Sequence, residues 1–374
     1  MDYETLTNCF TGVFEHYKTQ ETEIFVVHDL QNDLPKFIEF LNNNIKNKEW
    51  HISYNGLAFD AQVTHYILDN HFLWKELKGC EVANIIYKYA QSCITKSNNR
   101  EFSDYPPWKM MVGQIDIYKM HHWDNPAKRS SLKWIQYSMD WQNIIDMPIH
   151  HETEITTQAD IDLIITYCIN DVRSTKEIYN RSKSQIALRK ELTKEYGIDL
   201  FSASEPRISK EIFGYFLTKK LNISKRDLKQ MRTYRGTIKV ADIILPYIKF
   251  TSPEFNVLLD RFKAIEVDAA SLKGSFKYNI LYKNVKTHFG FGGVHGAAGK
   301  GVYEPEDGMM ILSSDVTSFY PNLAIKNKWS PGHFPKEAFC DQYEWFFEER
   351  KKIPKSNPMN YVYKIILNST FGLS

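Results

Sequence analysis

Ser313-Ser314-Asp315-Val316-Thr317-Ser318-Phe319-Tyr320-Pro321-Asn322-Leu323 follows the apolar run Met309-Met310-Ile311-Leu312. An apolar run of that length, bounded by Gly308 and Pro321, predicts a buried strand with Asp315 where the strand surfaces. A carboxylate at that point is placed to hold a metal ion, although a lone acid after a strand is more often a cap or turn residue. Pro321 ends the extended segment, and Ser318, Phe319 and Tyr320 put a hydroxyl and two rings close behind the acid.

A second cluster, Lys364-Ile365-Ile366-Leu367-Asn368-Ser369-Thr370-Phe371-Gly372, begins 49 residues after Asp315. Helical spacing puts Lys364, Asn368 and Phe371 on one face, so that a cation, an amide and a ring look the same way. Such a lysine acts as a point charge on phosphate oxygens, and the small pair Ser369 and Gly372 lets a base pair approach the backbone. The same stretch also reads as an ordinary amphipathic helix with a glycine stop.

Together the two clusters resemble motifs A and B of family B DNA polymerases, D-x-x-S-L-Y-P and K-x-x-x-N-S-x-Y-G. Here they read DVTSFYP and KIILNSTFG, with Phe319 for Leu and Phe371 for Tyr. The resemblance implies that Asp315 and the carbonyl of Val316 bind catalytic magnesium. It also implies that Tyr320 lies under the sugar and excludes ribonucleotides, and that Lys364 and Asn368 belong to the nucleotide site. Glu344 to Lys352 reads as a finger helix ending in Arg350-Lys351-Lys352, from which Arg350 is the candidate to reach the triphosphate.

The N-terminal half carries acids in a related pattern. On a strand, Asp2 and Glu4 point to one side about 7 Å apart, far enough to hold metal between them. Thr5 to Tyr17 and Glu23 to His28 read as strands of a hairpin or meander, and Asp33 to Asn43 as a helix. After the short strand His51 to Tyr54 and the Asn55-Gly56 turn, Phe59, Val63, Tyr66 and Ile67 repeat at helical spacing. This places Asp60 in a first turn, where the helix dipole also favours a plain structural acid. Gln158 to Tyr196 reads as one long helix on which Tyr167 and Asp171 share a face.

The order Asp2/Glu4, then Asn55-Gly-Leu-Ala-Phe-Asp60, then Tyr167-x-x-x-Asp171 resembles the three exonuclease motifs of the proofreading domain in the same family. It implies four carboxylates on two magnesium ions, with manganese as a substitute, and a tyrosine orienting the attacking water. The pairs His121-His122 and His150-His151 are expected to serve packing or surface roles, because no spaced His or Cys partner accompanies them. Asp116 is expected to be structural.

Between the two halves, Phe201 to Pro206 breaks the helical pattern and Ser224 to Arg235 gathers five cations, either a solvated face or a phosphate track. Leu258 to Leu272 reads as an amphipathic helix. Thr287-His-Phe-Gly-Phe-Gly-Gly-Val-His-Gly296 is similar to the Tyr-x-Gly-Gly segment that these polymerases place on the template path, with Gly290 at the tyrosine position. Gly292 and Gly293 carry over as DNA-binding glycines.

Composition sets the class. The chain has 374 residues, 43% hydrophobic and 25% charged, an ordinary balance for a globular protein of two or three domains. Its net charge of +2 makes any phosphate-binding surface a local one. Five dispersed cysteines without a C-x-x-C pair argue for reduced thiols and a cytoplasmic location. No apolar run approaches about 18 residues, so no membrane partner is expected.

The expected architecture is α/β (α+β). A ribonuclease-H-like exonuclease domain over residues 1–200 precedes a helical connecting region over 201–280, then an incomplete palm with short helical fingers over 281–374. The expected function is that of the N-terminal part of a family B DNA polymerase with a 3′–5′ exonuclease. Its partners are DNA primer–template, deoxynucleoside triphosphates and a second polypeptide carrying the Asp-Thr-Asp hairpin (motif C) and the thumb. The alternatives are a stand-alone exonuclease and a nonenzymatic DNA-binding remnant. The 49-residue gap leaves little space for the insertion of protein-primed members, so a nucleic-acid primer is expected.

Overall fold

Bulky residues at alternate positions make the first three segments strands: β1 (Asp2–Thr5), β2 (Phe10–Glu15) and β3 (Thr22–Val27). They pair antiparallel, with Asp2 opposite Val13 and Phe10 opposite Val27. The computed structural model describes residues 1–126, 129–233, 236–268, 277–290 and 293–373. These form a mixed α/β protein of two units, Met1–Leu221 with Asp341–Ser374, and Asn222–Cys340.

In the first unit, α1 (Leu34–Asn47), β4 (Trp50–Ser53), α2 (Asp60–Asn70), α3 (Gly79–Asn99), β5 (Gly113–Asp116) and the short α4 (Ile117–Met120) follow β3. β4 and β5 run parallel, and the Met1 amine donates to the carbonyl of Ile52, which brings β1 beside β4. One face of β1–β3 offers Tyr3, Phe10, Phe14 and Phe25 to Phe37 and Leu41 of α1 and to apolar residues of α2 and α3. The rings interlock, Tyr3 against Phe10 at 5.1 Å and Phe25 against Phe37 at 4.9 Å. Each such side chain contributes roughly 1.5–3 kcal/mol by leaving water.

The opposite face of the strands meets α6 (Gln158–Arg181), which follows α5 (Leu132–Ser138). Val13 packs there on Cys168 and Val172. Thr157 caps α6 by accepting the Asp160 N–H. The expected single helix from Gln158 to Tyr196 is in fact two, because the chain turns at Ser182 before α7 (Lys183–Tyr196). The buried Ser182 hydroxyl donates to the Ile178 carbonyl and bonds the His121 ring at 2.8 Å. This gives His121 a packing role.

The boundary expected near residue 200 does not coincide with the division into units. Arg189, almost fully buried, donates to the carbonyls of Ala203, Gln185 and Met120, and Ser202 bonds both the Asp116 N–H and the Gln114 carbonyl. The stretch after α7 is thus bound to the first unit, and α8 (Glu205–Leu221) continues it.

The second unit holds α9 (Lys225–Gln230), β6 (Thr237–Lys239), α10 (Val240–Ile243), α11 (Pro253–Lys263), β7 (Glu266–Asp268), β8 (Lys277–Tyr282), β9 (Val285–Gly290), β10 (Gly293–Ala297) and α12 (Phe319–Asn327). β8, β9 and β10 form an antiparallel sheet in order, and β6 pairs with β7. Phe255 and Phe262 of α11 pack on Phe289 of the sheet. The helix expected to run from Leu258 to Leu272 ends at Lys263, where the chain enters β7; residues 269–272 lie outside the described residues.

Met309–Leu312 is not a buried strand. The four residues are 63–79% exposed in a segment without regular structure or sheet partners. An apolar run becomes a strand only where neighbouring strands take its backbone hydrogen bonds. Among the described residues none lies beside it, so its hydrophobicity alone does not order it into a sheet.

From α13 (Lys336–Lys352) the chain returns to the first unit and ends in α14 (Pro358–Leu373). α14 packs along α8, and Phe213, Phe216, Phe346 and Tyr363 form an aromatic cluster between α8, α13 and α14. The chain from Asp341 onward thus belongs to the first unit.

Candidate active site

Strand geometry brings Asp2 and Glu4 to the α6 side of β1, while Tyr3 and Thr5 are buried on the other side. Asp60, as the first residue of α2, accepts the Tyr3 N–H on Oδ1 at 3.1 Å, which locks the helix start to the centre of β1. The turn before it is held by Asp116, whose carboxylate accepts the N–H groups of Asn55, Leu57 and Lys119. Asp116 is thus a structural acid that positions the loop presenting Asp60. Gly56 is required in that loop, because a Cβ there would lie 1.9 Å from the Ser53 hydroxyl.

From the other side, α6 contributes Tyr167, Cys168 and Asp171. Asp171 is buried, and its Oδ1 accepts from Lys133 Nζ at 2.8 Å and from Gln136 Nε2 at 2.9 Å. The same Lys133 ammonium lies 4.3 Å from the centre of the Tyr167 ring. Ligand atoms of Asp2, Glu4 and Cys168 lie within 4.8 Å of one another. The Cys168 thiol donates to the Asp2 carbonyl.

The acids act on one another. Burial, followed by the charges of Asp60 and Asp171, holds Asp2 well above the usual carboxylate range. Glu4 is raised likewise by burial and then by Asp2, Asp171 and Asp60. Asp60 is pushed up to about 7, chiefly by burial. The Tyr167 phenol is raised by burial and then by Asp171 and Glu4, so it keeps its proton and can donate it in a hydrogen bond. Burial likewise keeps Cys168 a thiol.

The two carboxylates of Asp2 and Glu4 are hard oxygen donors of the kind divalent cations take, while the Cys168 thiol beside them is not. Asp60 of α2 and Asp171 of α6 act on these two carboxylates through their charge, and a cation bound there would relieve that repulsion. No family model, no curated protein and no solved structure matches this chain. The reading of the site therefore rests on its own residues.

The residues of the second set form no such group of ligating side chains among the described residues. Asp315 and Val316 are exposed in a segment without regular structure, and Asp315 belongs to no group of three ligating side chains among the described residues. Tyr320 lies in the first turn of α12, half-exposed beside Phe319. Lys364 and Asn368 are both exposed on one face of α14, while Ile365, Ile366 and Leu367 are buried. Arg350 is tied to its own helix hairpin, donating to the Asn360 side chain at 3.3 Å. Gly293 opens β10 at a φ of 134°, a conformation suited to glycine, and Gly292 lies outside the described residues.

Lys133, Gln136 and Cys168 escaped the sequence reading. Lys133 and Gln136 sit three apart on a short helix with no motif of their own. Their one signal is that a cation and an amide share a helix face.

Proposed function

We propose that this chain carries a metal-dependent 3′–5′ exonuclease acting on DNA, as the proofreading part of a family B DNA polymerase. The observation that carries the reading is that Asp2 and Glu4 of β1 lie beside Cys168 of α6, with Asp60 of α2 and Asp171 of α6 near enough to raise both carboxyls and Tyr167 near enough to be raised by Asp171 and Glu4. The arrangement of the strands also supports a ribonuclease-H-like domain. An antiparallel β1-β2-β3 sheet lies near a separate parallel pair β4-β5, which the Met1 amine reaches at the Ile52 carbonyl, and α1 to α3 pack on one face of the three strands and α6 on the other.

Asp2, Glu4, Asp60 and Asp171 would hold magnesium or manganese. Two such ions, when bound, supply a hydroxide nucleophile and stabilise the leaving oxygen. The chain's own residues do the rest. Tyr167 presents a protonated phenol that can orient a water. Lys133 fixes the Asp171 carboxylate and brings positive charge to where a phosphate would sit. Tyr3 and Asp116 hold Asp60 in register with β1.

For the polymerase part, the exposed pair Lys364 and Asn368 on α14 favours a nucleotide-binding face. Asp315 would need a second carboxylate beside it for nucleotidyl transfer. A labelled primer–template incubated with magnesium, with and without deoxynucleotides, tests both parts. Shortening that disappears in Asp60→Ala is expected. Shortening that survives Asp60→Ala would refute the nuclease assignment, and extension by the chain alone would refute the need for a further acid.

A further inference from the structure

The helix that supplies Lys133 also carries two large aromatic side chains that its packing does not use. On α5, Leu132, Ile135 and Met139 just beyond it face the core, and Gln136 and Lys133 face Asp171. Trp134 and Tyr137 remain 59% and 67% exposed, with ring centres 5.8 Å apart. At 100° per residue, Tyr137 lies about 40° and Trp134 about 100° around the helix from Lys133. The aromatic strip therefore borders the cation that touches the acid cluster. The helix itself carries no acid, and Arg129, just before it, is exposed.

We infer that Trp134 and Tyr137 are a stacking platform for the bases of a single strand whose 3′ end lies at the acid cluster. The inference rests on the exonuclease reading for its substrate, and makes that substrate single-stranded. Aromatic rings flanked by cations are the usual means of holding unpaired bases and phosphates without regard to sequence. A duplex keeps its bases stacked on one another, so the platform favours frayed ends over paired ones. Trp134 and Tyr137 are positioning residues, since they stand beside the reacting atoms rather than on them.

The test is anisotropy of a labelled oligodeoxythymidylate bound to the full chain in a chelator, where no hydrolysis occurs. Trp134→Ala is expected to weaken binding by about 5- to 150-fold, Trp134→Phe to restore most of it, and Tyr137→Ala to act in the same direction. An oligonucleotide with abasic sites next to its 3′ end should bind the wild type as weakly as it binds Trp134→Ala. Blunt duplex binding should not change. Equal single-strand affinity in the wild type and in the Trp134→Ala/Tyr137→Ala double variant, with unchanged melting temperatures, would overturn the platform, as would an equal loss of duplex binding. Hydrolysis with magnesium is scored separately. Its absence from the wild type, with the Trp134-dependent binding intact, would sink the nuclease reading and leave the platform standing.

Discussion

Replacing Asp60 by Asn should stabilise the protein without metal and remove its response to metal. Asp60 titrates near 7 in the folded chain against 3.8 for an ordinary aspartate, chiefly because of burial. A raised folded pKa means that the folded state holds a proton that the unfolded state releases. The stabilisation is therefore complete below pH 3.8 and is lost as pH rises through 7. At about 1.4 kcal/mol per unit, the wild type forfeits between about 1 and 2 kcal/mol by pH 5 and about 4 kcal/mol by pH 8. Asn keeps the oxygen that accepts the Tyr3 N–H and carries no charge, so it escapes this loss. Urea unfolding in a chelator at pH 5 and pH 8 should show the advantage of Asp60→Asn widening by about 2–3 kcal/mol between the two. Adding magnesium at pH 8 should raise the wild-type midpoint and leave the variant nearly unmoved. An advantage that does not grow with pH would refute the argument.

Three further outcomes are expected. Lys133→Met should lower the hydrolysis rate by about 10- to 100-fold, as loss of a group that orients a metal ligand does, and steady-state kinetics would show unchanged rates if Lys133 were ornamental. His51, buried with its Nδ1 unpartnered and its pKa depressed to about 3 by burial, stays neutral in the fold while the unfolded chain protonates below 6.5. The protein should thus lose about 2 kcal/mol between neutral pH and pH 5, and unfolding of His51→Gln should lack that contribution when compared with the wild type. Gly56→Ala forces a methyl to within 1.9 Å of the Ser53 hydroxyl. It should cost about 1–3 kcal/mol by thermal unfolding and reduce hydrolysis, because the loop that carries Asp60 must shift.

Much of the first unit was legible because its signals are local. The two-residue period of β1 sorts Asp2 and Glu4 from Tyr3, and the spacing of Phe59, Val63 and Ile67 places Asp60 at a helix start. The four-residue step from Tyr167 to Asp171 needs only a helix. What escaped depends on contacts distant in sequence. The Lys133 bond to Asp171 spans 38 residues, and the break at Ser182 depends on His121, 61 residues earlier. Met309–Leu312 misled for the opposite reason: its apolar pattern is local, but strand formation there required neighbours that the pattern does not reveal.

The return of α14 to the side of α8 also bears on the order in which the protein can be made. On a ribosome, α8 is complete roughly 150 residues before α14 is, an interval of about 8–30 s at ordinary rates of synthesis. During that time Phe213 and Phe216 of α8 lack the rings of Trp345 and Phe346 that cover them in the finished fold. The first unit therefore cannot finish folding as it emerges. It waits with a sticky flank in view, and nascent-chain chaperones are the expected occupants of that flank until translation has passed Leu367.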